Sequence, residues 1–150
     1  MTNQEIKQKL PHRWPFLFVD RVTKIDSKVI EGYKNVSASD VIFLGHFPEI
    51  SILPGIIIIE ALAQLSGLLL SNQDTDKGIS EADKKIGFLT SIRNFKFIKT
   101  VEPGDQLFLK SILKGNNDDC FIFSVSAYVD KCEVAVGEIQ LFLQKKEMVL

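Results

Sequence analysis

The run Gly45 to Ser71, GHFPEISILPGIIIIEALAQLSGLLLS, decides how the rest of the chain must be arranged. From Gly55 to Leu70 nearly every residue is apolar or small, and only Glu60, Gln64 and Ser66 interrupt. A helix half exposed to water carries a polar stripe at a period near 3.6, whereas one apolar on all faces is buried. The run therefore predicts a core helix with a carboxylic acid inside it. Pro54 and Gly55 mark its start, since the amide a proline lacks has no intrahelical partner in the first turn. The free amides of that turn point back toward Gly45-His46-Phe47-Pro48. Glu60 and Gln64 lie one turn apart on a narrow, lightly polar face continued by Gly67 and Ser71, while Ile57, Ile58, Leu62, Leu65 and Leu69 fill the other faces. A membrane span needs about 20 apolar residues, and a carboxylate, an amide and two glycines argue against one here. From the helix alone, a structural glutamate held in an ion pair and a functional one are equally supported. His46 by itself is more often structural than catalytic.

The chain has 150 residues and a formal net charge of −1, which predicts one domain spanning 1–150 that buries roughly two thirds of its unfolded surface. So small a charge, with no long basic run, gives no general attraction to nucleic acid or to an anionic membrane. The N-terminal letters MTNQEIKQKLPHRW lack an apolar signal core, so a cytoplasmic protein is expected. Cys120 and Cys132, with only His12 and His46 beside them, lack the density of a zinc site. No metal and no nucleotide cofactor are expected.

Working outward, Asn3 to Lys9 suits one or two polar helical turns, and the prolines of Leu10-Pro11-His12-Arg13-Trp14-Pro15 forbid regular structure. Phe16 to Val22 reads as a first strand or its approach and Val29 to Val36 as a strand, with Asp26-Ser27-Lys28 as the turn. Ser37 or Ser39 can cap a short helical turn before Gly45. Asn72 to Lys85 is the least apolar stretch and is expected to be a mobile surface connection, and Gln144 to Leu150 a loose tail.

From Ile86 onward the hydrophobic period changes to two. Breaks at Pro103-Gly104, Gly115 to Asp118 and Asp130-Lys131 divide this half into strands of roughly 86–99, 105–114, 119–129 and 133–144, and short loops predict an antiparallel meander. The last hairpin sets Cys120 near Leu141 or Leu143, far from Cys132, so both thiols should stay free. An all-apolar helix and a curved antiparallel sheet satisfy each other only if the sheet wraps the helix. The expected class is α+β with the hot-dog architecture.

Taken together, LPHRWPFLFVDRV, GHFP, LPGIIIIEALAQ and VEPGDQL resemble, in order and spacing, the FabZ-type 3-hydroxyacyl-acyl-carrier-protein dehydratases, from about Leu10 to Leu143. The resemblance names the same fold and implies dehydration of a (3R)-hydroxyacyl thioester to the trans-2-enoyl product. It implies His46 as general base and Glu60 as general acid, the two meeting across a dimer, often with three dimers per assembly. The partner it implies is an acyl carrier protein bearing a phosphopantetheine-linked chain.

The residue types fit that chemistry. A histidine accepts a proton near neutrality, and desolvation keeps a glutamate in apolar surroundings protonated. Backbone amides at a helix N-terminus hold a developing oxyanion, with Gly55 the candidate donor because its missing side chain permits close approach. Gln64 either orients Glu60 or packs. Arg93, Lys96 and Lys99 either dock the acidic carrier or form a solvated face, with Lys96 and Lys99 on opposite faces of an ideal strand. His12 and Arg13 belong to the opening motif, but no spacing ties them to the chemistry, and packing is their expected role. The chain departs from the family's usual string at Glu49-Ile50-Ser51 and at Ile98. The competing readings are a hot-dog thioesterase or acyl-CoA hydratase, and a non-catalytic acyl-binding domain.

Overall fold

The computed structural model describes residues 1–73 and 85–145. Most of the expected connection after the long helix, and most of the expected loose tail, lie outside the described residues. Helix α1, Asn3–Lys9, starts at a reciprocal cap in which Thr2 and Glu5 each bond the other's backbone amide. It buries Ile6 completely. Strands β1 (Arg21–Ile25) and β2 (Val29–Asn35) form the first hairpin. Residues 16–20 are the approach to β1 rather than part of it.

A 3₁₀ turn, Val41–Leu44, follows. Neither expected serine caps it: its N-cap is Asp40, which makes no side-chain capping bond. Ser37 and Ser39 instead share a hydroxyl hydrogen bond of 2.8 Å, and the Asp40 carboxylate is drawn to the buried Lys34 ammonium at 3.0 Å. A buried charge is tolerated only when paired, and this pairing outcompetes the cap.

Helix α2, Gly55–Gln73, occupies the middle of the molecule. It is long and apolar enough to cross a membrane, yet Ala61, Leu62, Leu65, Leu68 and Leu69 are sealed against Leu107, Leu109, Phe123 and Ile139 of the sheet. Ser66 is fully buried and satisfied, donating to the Leu62 carbonyl at 2.7 Å and meeting the Ser111 hydroxyl at 2.6 Å. The polar face predicted from Glu60, Gln64, Gly67 and Ser71 turns away from the sheet. Gly67 faces Leu10 of the lead-in. Truncating Leu65 to Ala at the sheet side should cost about 2–5 kcal/mol, read as a lowered denaturation midpoint in urea.

Strands β3 (Lys85–Phe97), β4 (Gln106–Asn117), β5 (Cys120–Val129) and β6 (Cys132–Lys145) complete one antiparallel sheet in the order β1-β2-β4-β5-β6-β3. The meander therefore runs through β4, β5 and β6 only, and β3 pairs with β6 rather than with its sequence neighbour β4. The reason lies in residues 98–105. Ile98 donates to the Val134 carbonyl, the Val101 carbonyl accepts from Leu53 just before α2, and Gly104 donates to Val36 at the end of β2. The segment thus carries the chain from one side of the sheet to the other past the start of α2. Gly104 has φ +103°, a conformation that favours glycine. The sheet closes around the helix as a hot-dog fold, and β3 is left as an edge. Cys120 stands opposite Phe142 and Cys132 opposite Val129, and both are free thiols.

Candidate active site

The loop from His46 to Ile52 is folded back on itself. Ile52 donates to the His46 carbonyl at 3.2 Å, and Phe47 and Ile50 exchange backbone bonds of 2.8 and 3.2 Å. The His46 ring stacks on Phe47 with centroids 4.0 Å apart, and its Nδ1 lies 2.8 Å from the Ile52 carbonyl oxygen. A carbonyl only accepts, so Nδ1 carries a proton and donates, and in the neutral ring the lone pair is therefore on Nε2. The loop thereby fixes the neutral tautomer of this imidazole as the one whose basic nitrogen is Nε2.

Gly55 opens α2, so its N–H belongs to the first turn, where amides have no intrahelical acceptor. The Phe97 ring lies over it: a Cβ at Gly55 would sit 2.7 Å from two ring carbons. Only glycine lets this ring and the helix backbone approach so closely.

Glu60 is not sealed inside the core as the apolar run suggested. Its side chain is 21% exposed, because the face it shares with Gln64 is covered by the lead-in rather than by the sheet. Gln64 is buried and completely engaged. Its Oε1 accepts from the Phe18 amide at 2.8 Å, and its Nε2 donates to the Phe16 carbonyl at 3.0 Å and to Glu60 Oε1 at 2.9 Å. It fastens the lead-in to the helix and the carboxyl to both.

His12 was expected only to pack, yet its Nε2 lies 3.6 Å from the same Glu60 Oε1. Burial pushes the His12 imidazole below its ordinary pKa and Arg13 adds to this, while Glu60, when ionised, works against it. No local signal pointed to this contact, since it joins an irregular segment to a helix far along the chain, where the Gln64 bonds fasten the two together. Arg13 donates to the carbonyls of Leu10 and His12 and holds the lead-in's shape.

Among the described residues no ion pair joins His46 to Glu60 within one chain. Arg93 and Lys96 are exposed on β3 across a bulge, and Lys99 lies beyond the strand's end at Phe97, so the alternation of an ideal strand does not govern that pair. Among the described residues no group of three or more His, Cys, Asp and Glu side chains is placed to hold a metal ion.

The model of the FabA-like domain family matches residues 10–138. The chain is 43% identical over 149 residues to a 3-hydroxyacyl-[acyl-carrier-protein] dehydratase FabZ of Acinetobacter baumannii, covering 98% of this chain and 99% of that one. It is 38% identical over 143 residues to the enzyme of the same name from Campylobacter lari, covering 95% and 97%. The chain belongs to the FabZ-type dehydratases. Among solved structures, the dehydratase heterocomplex ApeI:P from Xenorhabdus doucetiae is similar in fold, with a TM-score of 0.77 at 18% identity over 96% of this chain and 93% of that one. As a FabZ-type dehydratase the chain is a hydro-lyase that dehydrates 3-hydroxyacyl-acyl-carrier-protein in fatty acid biosynthesis.

Proposed function

We propose that His46 is the general base and Glu60 the general acid of this dehydration, and that each site takes one of them from each of two subunits. The observation that carries the reading is the His46 tautomer: Nδ1–H bound to the Ile52 carbonyl leaves Nε2 free to accept a proton. Nε2 takes the C2 proton of the 3-hydroxyacyl thioester. The charge that develops on the thioester oxygen is held by the Gly55 N–H, a contribution of about 3 to 4 kcal/mol in comparable sites. Glu60 gives its proton to the C3 hydroxyl, the C3–O bond breaks, and the electron pair left at C2 forms the double bond. Gln64 orients Glu60 through the bond to its Oε1. Incubation with 3-hydroxyacyl carrier protein should yield enoyl product without free thiol. Release of thiol instead would favour a thioesterase.

The dimer reading rests on surface that one chain leaves open. The edge strand β3 exposes Phe88, Ile92 and Phe97, with Ile98 just beyond, and Leu44, Phe47, Ile50 and Ile56 are exposed around the His46 loop and the start of α2. Ile56, the second residue of a mostly buried helix, is 72% exposed. An unpaired edge with apolar side chains is a template for pairing with another chain. In this reading the molecule is one hot-dog domain working as a dimer, with three dimers as the larger assembly. Ile92→Lys should shift the protein toward monomer in sedimentation and remove activity in parallel. A stable, fully active monomer would overturn the shared site. Arg93, Lys96 and Lys99 form the proposed docking ground for the acidic carrier protein.

A further inference from the structure

The network around Glu60 treats its two carboxyl oxygens differently. Gln64 cannot be turned over: reversing its amide would set its oxygen against the Phe16 carbonyl and Glu60, and its NH₂ group against the Phe18 N–H. Glu60 Oε1 therefore accepts from Gln64. His12 Nε2 faces that same oxygen at 3.6 Å, while among the described residues its Nδ1 is buried without a hydrogen-bond partner. A proton on Nδ1 would leave a buried donor unmatched and would also turn the Nε2 lone pair toward the carboxyl oxygen. A proton on Nε2 leaves a single unmatched lone pair and directs an N–H at Oε1.

We infer that His12 is a positioning residue that, together with Gln64, holds Glu60 Oε1 as an acceptor and so keeps the acid proton on Oε2. Oε1 has two lone pairs: one accepts the Gln64 N–H at 2.9 Å, and the other faces His12 Nε2 at 3.6 Å. The proton of the carboxylic acid then resides on Oε2, which is the oxygen left to meet the C3 hydroxyl. The inference requires the 3.6 Å separation to shorten to a hydrogen bond when substrate fills the site, as catalytic contacts commonly do. The chemistry also accounts for the two histidines adopting opposite tautomers: His46 donates from Nδ1 to keep Nε2 basic, and His12 donates from Nε2 to an acid. This inference rests on Glu60 being the acid, and the tests separate the two ideas.

His12 and His46 are the only histidines in the chain, so ¹⁵N-histidine labelling of the intact protein at neutral pH reports both rings, with His46→Asn assigning them. The expected spectrum shows His12 neutral with its proton on Nε2 and His46 neutral with its proton on Nδ1. A His12 ring protonated on Nδ1, or on both nitrogens, would overturn the inference. In steady-state assays His12→Leu should lower kcat about 10- to 100-fold with KM little changed, and His12→Gln, which restores an N–H near the same place, should recover most of the loss. Equal activity of His12→Leu and the natural enzyme would refute it, as would a His12→Gln variant that folds and is no better than His12→Leu. A fully active Glu60→Gln enzyme would instead remove the acid reading on which the inference stands, whatever the His12 spectrum shows.

Discussion

Glu60→Gln is expected to lower kcat about 10²- to 10⁴-fold, the range for losing a positioned general acid, with the folding transition nearly unmoved. The substitution keeps the size and planarity of the side chain, and an amide oxygen can still accept the Gln64 bond that Glu60 Oε1 accepts now at 2.9 Å. What it removes, in the proposed mechanism, is the proton that must reach the leaving hydroxyl. His46→Ala should cost a similar factor by removing the base. Because the His46 ring also donates to the Ile52 carbonyl, that variant loosens its loop by about 1 kcal/mol. His46→Asn is the cleaner companion, since its amide can donate to the same carbonyl while offering no base. Rates of enoyl formation on carrier-protein substrate, measured beside thermal melts, check these expectations. A Glu60→Gln enzyme as active as the natural one would return Glu60 to a structural role in which the carboxyl serves only to bind Gln64 and the lead-in.

The parts of this molecule that could be read from its letters are those set by contacts close in sequence. The all-apolar faces of Gly55 to Leu70 required a wrapped helix, and the alternation in Phe121 to Val129 required a strand with one face against it; both are present. The Asp130-Lys131 turn, with both residues at positive φ, fixed the final hairpin and hence the separation of the cysteines. The exchange of β3 to the far side of β6 was not legible, because Pro103-Gly104 reads locally as a turn. Nothing local says that residues 98–105 pass Leu53 and reach Val36 before β4 begins. The same limit hid the His12 to Glu60 contact and over-buried Glu60. A helix period tells that a face is polar, and only the path of the lead-in tells what covers it. His46, by contrast, was named by its motif, but its tautomer became readable only when Ile52 was found at the end of the same loop.

Mixing subunits is the sharper experiment on where the two groups of a site come from. In a two-fold dimer with shared sites, a protomer carrying His46→Ala and one carrying Glu60→Gln together make one site lacking both groups and one site lacking neither. Each homodimer alone is inactive, since every one of its sites lacks one group. Random re-association should therefore restore about a quarter of the natural specific activity, because about half of the dimers are mixed and each has one intact site of two. If His46 and Glu60 of one chain served one site, every site in the mixed dimer would lack a group, and nothing would return. Within a single chain no ion pair links the two among the described residues, and the apolar surface around Leu44, Ile50 and Ile56 is open where a second subunit would have to sit. Both features favour recovery. Differently tagged protomers, purified through both tags as dimers so that only mixed dimers remain, should reach about half of the natural activity. Mixed dimers that are isolated intact and stay inactive would refute the shared site, while leaving the dehydratase assignment untouched.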